Sequence, residues 1–258
     1  MCGGSTEPDT TPEEPALRPE VLPAGPDAVV VRFSLKPQAA AISAAQAFAA
    51  DLTARPPEGA GEIVPALVSV RVGFDPRLTA RSVLVDALER RASAIVAAPV
   101  VLPRPRRRWT IPVAFGGAAG PQLAEVAAMT GLTEAAAAAQ IAATDLRVLA
   151  IGFAPGQAYI GLMTPAWDIP RMTALTPSVP AGSVVVALRQ IVMFGAASPT
   201  GWRQVARAAF RSFLPERAEP MPLRAGDAIR YVAAPEDEIA RLDSALDGLG
   251  GARLEMLR

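Results

Sequence analysis

The sequence predicts an α+β N-terminal domain followed by a mainly β domain that closes, or nearly closes, into a barrel. Three observations carry this. Residues 28–97 alternate strand and helix patterns in the order β-α-β-β-α, which lays two helices over one antiparallel sheet. Beyond residue 109 the apolar, β-branched runs are short and punctuated by turns: AGSVVVAL, IVMFGA, GWRQVARAAF and DAIRYVAA. Three Gly/Pro signals, GFAPGQAYIG (152–161), PSVPAGSVVV (177–186) and SPTGW (198–202), mark places where the backbone turns tightly or lets another group approach.

Taken in order, residues 1–27 hold six prolines and six acidic residues with no apolar period, the signature of a disordered tail. AVVVRFS (28–34) reads as a strand, and the alanine-rich 37–55 as a helix without breakers. Within 62–75, Val68, Val70, Val72 and Phe74 alternate as in one or two strands. Thr79 is placed to cap a helix over 80–97, with Val83, Leu84, Leu88 and Ile95 near one face. Residues 98–108 read as a linker, stiffened by Pro103 and Pro105 and charged by Arg104, Arg106, Arg107 and Arg108.

The second domain spans 109–258. TIPVAFGG (110–117) is a strand, 120–131 a short helix stopped by Gly131, and 133–144 a helix capped by Thr133. DLRVLAIGF (145–153) is a strand running into the Gly-Pro core. Arg203, Arg207 and Arg211, four apart, read as a solvated face, and Ile239, Leu242, Leu246 and Leu249 as one helical stripe.

Composition narrows the chemistry. With 25 basic and 25 acidic side chains the net charge is zero, so no global footprint for nucleic acid exists. The four linker arginines have only Trp109 beside them, and neither a nucleic-acid partner nor a membrane is expected. The opening residues lack the basic and apolar segments of a secretory signal. Cys2 is the one cysteine, which fits a reducing, cytoplasmic compartment. Histidine is absent, which removes Ser-His-Asp and Cys-His catalysis and every His-dependent metal site from this chain. No metal is expected. No phosphate-cradling Walker motif occurs either.

The ordered blocks IPVAFGG with Gly120-Pro121, GFAPG with Tyr159, Pro170-Arg171, VPAGSV, Gln190, Pro199 with Gly201-Trp202, and LRAGDAIRYV resemble the KipI/allophanate-hydrolase-subunit-1 family. That family includes the B subunit of prokaryotic 5-oxoprolinase. The resemblance implies a cyclophilin-like barrel and a paralogous C-subunit-like partner, with a third, A-subunit-like protein in the oxoprolinase. It implies ATP as co-substrate in opening 5-oxo-L-proline to L-glutamate. A KipI-like regulatory role, or an allophanate or urea-carboxylase association, is the alternative. On these motifs Arg171 and Gln190 are the expected catalytic pair, and Gly152, Phe153, Pro155, Gly156, Tyr159 and Trp202 the expected substrate-binding set.

Departures from the family pattern are specific. Ala118 and Gln122 stand where acids are usual, Ile141 where a histidine is, and Thr176 where an arginine is. Gln157-Ala158 replaces Phe-Pro after GFAPG, and Leu188 and Val192 replace turn glycines. Most groups suited to proton transfer are gone. The scaffold blocks remain.

Overall fold

A computed structural model describes residues 16–257. Its first sheet has the order β1-β2-β4-β3, built from β1 (Glu20–Pro23), β2 (Ala28–Arg32), β3 (Ala60–Pro65) and β4 (Ser69–Phe74), all antiparallel. Helices α1 (Ala39–Ala54) and α2 (Arg81–Val96) cover one face. Val29, Val31, Val70 and Val72 alternate toward them and meet Phe48, Leu52, Leu84 and Leu88 in one apolar cluster.

Three expectations change here. Of the expected tail, residues 1–15 lie outside the described residues, while Glu20–Pro23 is a strand, paired Val21 to Val31 and Leu22 to Val30. The partner edge of β2 supplies backbone hydrogen bonds that composition does not reveal. Ala80, not Thr79, is the N-cap of α2 and makes no side-chain cap; Thr79 is buried. Val83 is 60% exposed, so the buried stripe of that helix is Leu84, Leu88 and Ala92.

The remaining chain builds β5 (Arg107–Phe115), α3 (Leu123–Thr130), α4 (Glu134–Ala143), β6 (Leu146–Ile151), β7 (Ala158–Gly161), β8 (Thr176–Val179), β9 (Ser183–Ala187), β10 (Gln190–Met193), β11 (Ser198–Thr200), β12 (Arg203–Arg207), β13 (Ala228–Ala233), α5 (Glu236–Leu242) and β14 (Arg253–Met256). The order β12-β9-β10-β7-β6-β13-β5 closes through β12 pairing back on β5, giving a seven-stranded barrel. Only β13 and β5 run parallel among these pairs; β14 adds to the outside edge of β5. β8 and β11 form a separate two-stranded ribbon.

The barrel interior is solid. Ile111 and Val113 of β5, Val148 of β6, Ile160 of β7, Val184 and Val186 of β9, Ile191 and Met193 of β10, and Tyr231 of β13 pack into one core. Leu123 and Val126 of α3 and Ile141 of α4 join it. α3 ends at Gly131 with φ +71°, and the Thr133 hydroxyl accepts the Ala136 N–H, so both expected helix signals hold.

The expected solvated arginine face is a correction. Arg203 and Arg207 lie in β12, and Arg203 is buried, its Nε donating to Glu125 at 2.8 Å and its Nη1 to the Pro170 carbonyl at 2.7 Å. Arg207 and Arg211 both bind Asp243. The C-terminal helical stripe is shorter than expected: α5 stops at Leu242 and Leu246 is 99% exposed. Among the described residues no single helix is long and apolar enough to cross a membrane.

Candidate functional site

Because strand side chains alternate, residues flanking the barrel core on β7, β9 and β10 point outward. Tyr159, Val185, Ala187 and Val192 do so, and with Val179, Phe194 and Trp202 they form a second apolar cluster. The cluster opens into a cavity of about 400 Å³. Its lining comprises Phe153, Gln157 and Tyr159 from one side; Arg171, Met172 and Leu175 from the loop after Pro170; and Thr200, Gly201 and Trp202 from the end of β11. On the barrel, the filled interior leaves this outer face as a place where a small molecule fits, while a shallower cleft of about 650 Å³ lies on the first sheet beside Asp27, Arg71 and Asp75.

Trp202 is the anchor. It is 7% exposed and meets the Tyr159 ring edge-on at 6.2 Å between centroids. The Arg171 guanidinium lies over its ring at 5.5 Å, a cation–π contact. Among the described residues no carboxylate pairs with Arg171, and Asp168 forms no ion pair with it. The Gly201 carbonyl accepts the Met172 N–H at 2.7 Å, and the Thr200 hydroxyl accepts the Trp202 N–H at 3.0 Å. These bonds hold the arginine loop against the end of β11.

The GFAPG loop forms the opposite wall. Gln157 N–H donates to Ala154 O, and Gly152 N–H to Gln157 O, both at 3.1 Å, closing the loop on itself. Gly156 has φ +69°, and a Cβ there would meet the Ser212 carbonyl oxygen at 2.4 Å; only glycine fits. Gly152 has no such constraint, since a Cβ there meets nothing within 4 Å. Phe153 holds its ring 86% exposed at the cavity rim, on a backbone at φ +70°.

The expected site set therefore divides. Arg171, Phe153, Tyr159 and Trp202 line one cavity. Gly152, Pro155 and Gly156 shape the loop that presents Phe153 without lining the cavity. Gln190 is 5% exposed at the start of β10, between Gly161 and Ala187, and is not in the lining. Arg171 and Gln190, the expected catalytic pair, are not brought together in this cavity. Gln157 is the residue that sequence reasoning passed over. It is 4% exposed, lines the cavity, and its side-chain amide has no hydrogen-bond partner among the described residues. Its signal was the polar residue standing directly after GFAPG.

The other departures have structural answers. Ile141 is fully buried in the barrel core. The Gln122 side chain accepts the Gln204 N–H at 2.7 Å, fastening α3 to β12. Val192 lies inside β10 and needs no positive φ, whereas Leu188 and Arg189 form the β9–β10 turn at φ +51° and +63°. That turn is pinned by Leu188 N–H to Ile169 O at 2.8 Å and Arg189 N–H to Trp167 O at 3.0 Å. Of the linker arginines, Arg107 and Arg108 belong to β5 and pair with Asp227 and Glu255.

The class of domain is given by a family match: the carboxyltransferase domain, subdomain C and D, covers residues 19–223, which include the first sheet and most of this barrel. The chain belongs to that family, as a member similar to the B subunit of 5-oxoprolinase. The 5-oxoprolinase B subunit of Bacillus subtilis (strain 168) is 30% identical over 233 residues, covering 86% of this chain and 95% of that protein. That of Escherichia coli O157:H7 is 38% identical over 126 residues, 49% of this chain and 58% of that protein. The crystal structure of TTHA0988 superposes with a TM-score of 0.64 at 31% identity, over 81% of this chain and 40% of that one. The Kluyveromyces lactis urea amidolyase shares the fold, with a TM-score of 0.69 at 13% identity over 96% of this chain and 17% of its own. The chain thus matches 58% of the E. coli relative and 40% of TTHA0988.

Proposed function

We propose that this chain is the binding subunit of an ATP-dependent, 5-oxoprolinase-type complex that opens 5-oxo-L-proline to L-glutamate with a paralogous C-subunit-like partner and an A-subunit-like protein. One observation carries it: in a chain similar to the B subunit of 5-oxoprolinase, an unpaired guanidinium, Arg171, stands over Trp202 at the mouth of an apolar cavity. A guanidinium in that setting binds a carboxylate through its N–H edge while the aromatic wall takes the ring.

The lining also sets the division of labour. Its ionisable groups are Arg171 and Tyr159 alone, with no carboxylate and no histidine. General acid–base chemistry on a bound amide requires a group that titrates near neutrality, so the proton transfers fall to the partner. ATP falls to the partner as well, since one guanidinium without a Gly-rich phosphate loop does not fit a triphosphate. The same absence favours a second reading, a KipI-like binding protein without chemistry of its own.

The test is 5-oxoproline-dependent ATP hydrolysis by the chain purified alone and with its co-encoded partners. Turnover only in the complex is expected. A stable complex without turnover supports the regulatory reading instead.

A further inference from the structure

Two polar groups face the cavity without a protein partner, and they differ in kind. Arg171 is a fixed cation at the rim. Gln157 is an amide, nearly buried, set in the opposite wall by the closed 152–157 loop. An amide that opens only into a cavity exchanges its water most favourably for a ligand that offers both a donor and an acceptor. A secondary amide is such a ligand, because its N–H and C=O complement the C=O and NH₂ of a glutamine side chain.

The rest of the lining is apolar and larger than an amide needs. Tyr159, Met172, Val192, Phe194 and Trp202 wall a space of about 400 Å³, within the ordinary range for small-molecule sites. We propose that the cavity binds an N-acylated amino acid with a bulky apolar side chain, the unit CO–NH–CHR–COO⁻, in which Arg171 takes the carboxylate, Gln157 the amide and the aromatic wall the side chain R. Gln157 is the specificity-determining residue. The unit comes from a free N-acyl amino acid or from the C-terminal residue of a peptide. This inference rests on the same cavity and Arg171 as the oxoprolinase reading and widens the ligand class beyond the cyclic amide 5-oxoproline. It needs neither ATP nor a partner. Gln157→Leu tests it alone, whereas Arg171→Gln without effect counts against both.

Calorimetric titration of the full chain tests it, with N-acetyl-L-phenylalanine as the probe and 3-phenylpropanoate as the analogue that keeps ring and carboxylate but lacks the amide. N-acetyl-phenylalanine is expected to bind saturably and about tenfold more tightly than 3-phenylpropanoate. Gln157→Leu should remove that preference while leaving 3-phenylpropanoate unchanged. Arg171→Gln, at an exposed position that does not challenge folding, should weaken both ligands by about tenfold or more. A peptide ending in phenylalanine assigns the source: tighter binding than the acetylated amino acid indicates a peptide terminus, equal or weaker binding a small molecule. No saturable binding, equal affinities for the two small ligands, or Gln157→Leu weakening both alike would overturn the proposal, as would Arg171→Gln leaving both unchanged.

Discussion

Phe153 combines an 86% exposed ring with a left-handed backbone at φ +70°, a conformation that costs a side-chain-bearing residue about 1–2 kcal/mol. Strain of this kind persists where neighbours over-determine it, and here Gly156 wedged beneath the Ser212 carbonyl does so. Gly156→Ala therefore combines a clash with a left-handed φ that is costly for any residue with a Cβ. It should lower stability by about 2 kcal/mol or more in urea unfolding and loosen the Phe153 wall. Leu188 offers the opposite case, a non-glycine at φ +51° in a turn remote from the cavity. Leu188→Gly should raise stability by about 0.5–1 kcal/mol, read as an upward shift of the urea midpoint at unchanged slope. The glycine signals of the sequence were legible as tight turns, but only the structure separates Gly156, which steric contact demands, from Gly152, which it does not.

Between elements, buried charge ties the barrel seam. Asp227, 3% exposed, precedes β13; its carboxylate faces Arg107 Nε of β5 at 3.1 Å and accepts the Arg224 N–H at 2.9 Å. Desolvation pushes the Asp227 carboxyl above its ordinary pKa, against the opposing pull of the Arg224 N–H and the Arg107 charge. The folded state then binds this proton more readily than the unfolded state, so the contribution of Asp227 to stability falls as pH rises through the acid range and is regained as pH is lowered. Asp227→Asn keeps the shape but removes this titration, so the urea midpoint of the variant should vary less with pH across the acid range than that of the wild type, which should rise on acidification. Strands and helices at this scale were largely readable, because β-branched runs and caps such as Thr133 are local signals. The arginines of β12 were misread because a spacing of four fits a helix face as well as a strand face. The bulge between Gln204 and Ala206 further turns both Val205 and Ala206 into the core.

Across the whole molecule, two sheets with separate apolar clusters meet at few points. One is buried: Gln46 of α1 donates from Nε2 to the Leu149 carbonyl of β6 at 2.7 Å. Gln46→Ala leaves that carbonyl unpaired and should cost about 1–2 kcal/mol. If the α+β unit and the barrel are the two domains we propose, the variant should also split a single thermal transition into two. The barrel could be read from the sequence because the Gly/Pro blocks sit at its turns. The position of the cavity could not, since it depends on which face of β7, β9 and β10 the core fills, a long-range property of closure. Gln190 and Trp202 both looked like site residues; closure buries the first in a strand and gives the second to the cavity.

The central claim is that the outer-face cavity holds the carboxylate of the substrate, and the most direct measurement is 5-oxoproline-dependent ATP hydrolysis by the assembled complex carrying Arg171→Ala, with Gln190→Ala alongside. The account predicts that Arg171→Ala raises KM about tenfold or more while the complex stays intact, and that Gln190→Ala changes stability more than KM. Unchanged KM in Arg171→Ala, or loss of turnover confined to Gln190→Ala, would contradict it and move the site away from this cavity.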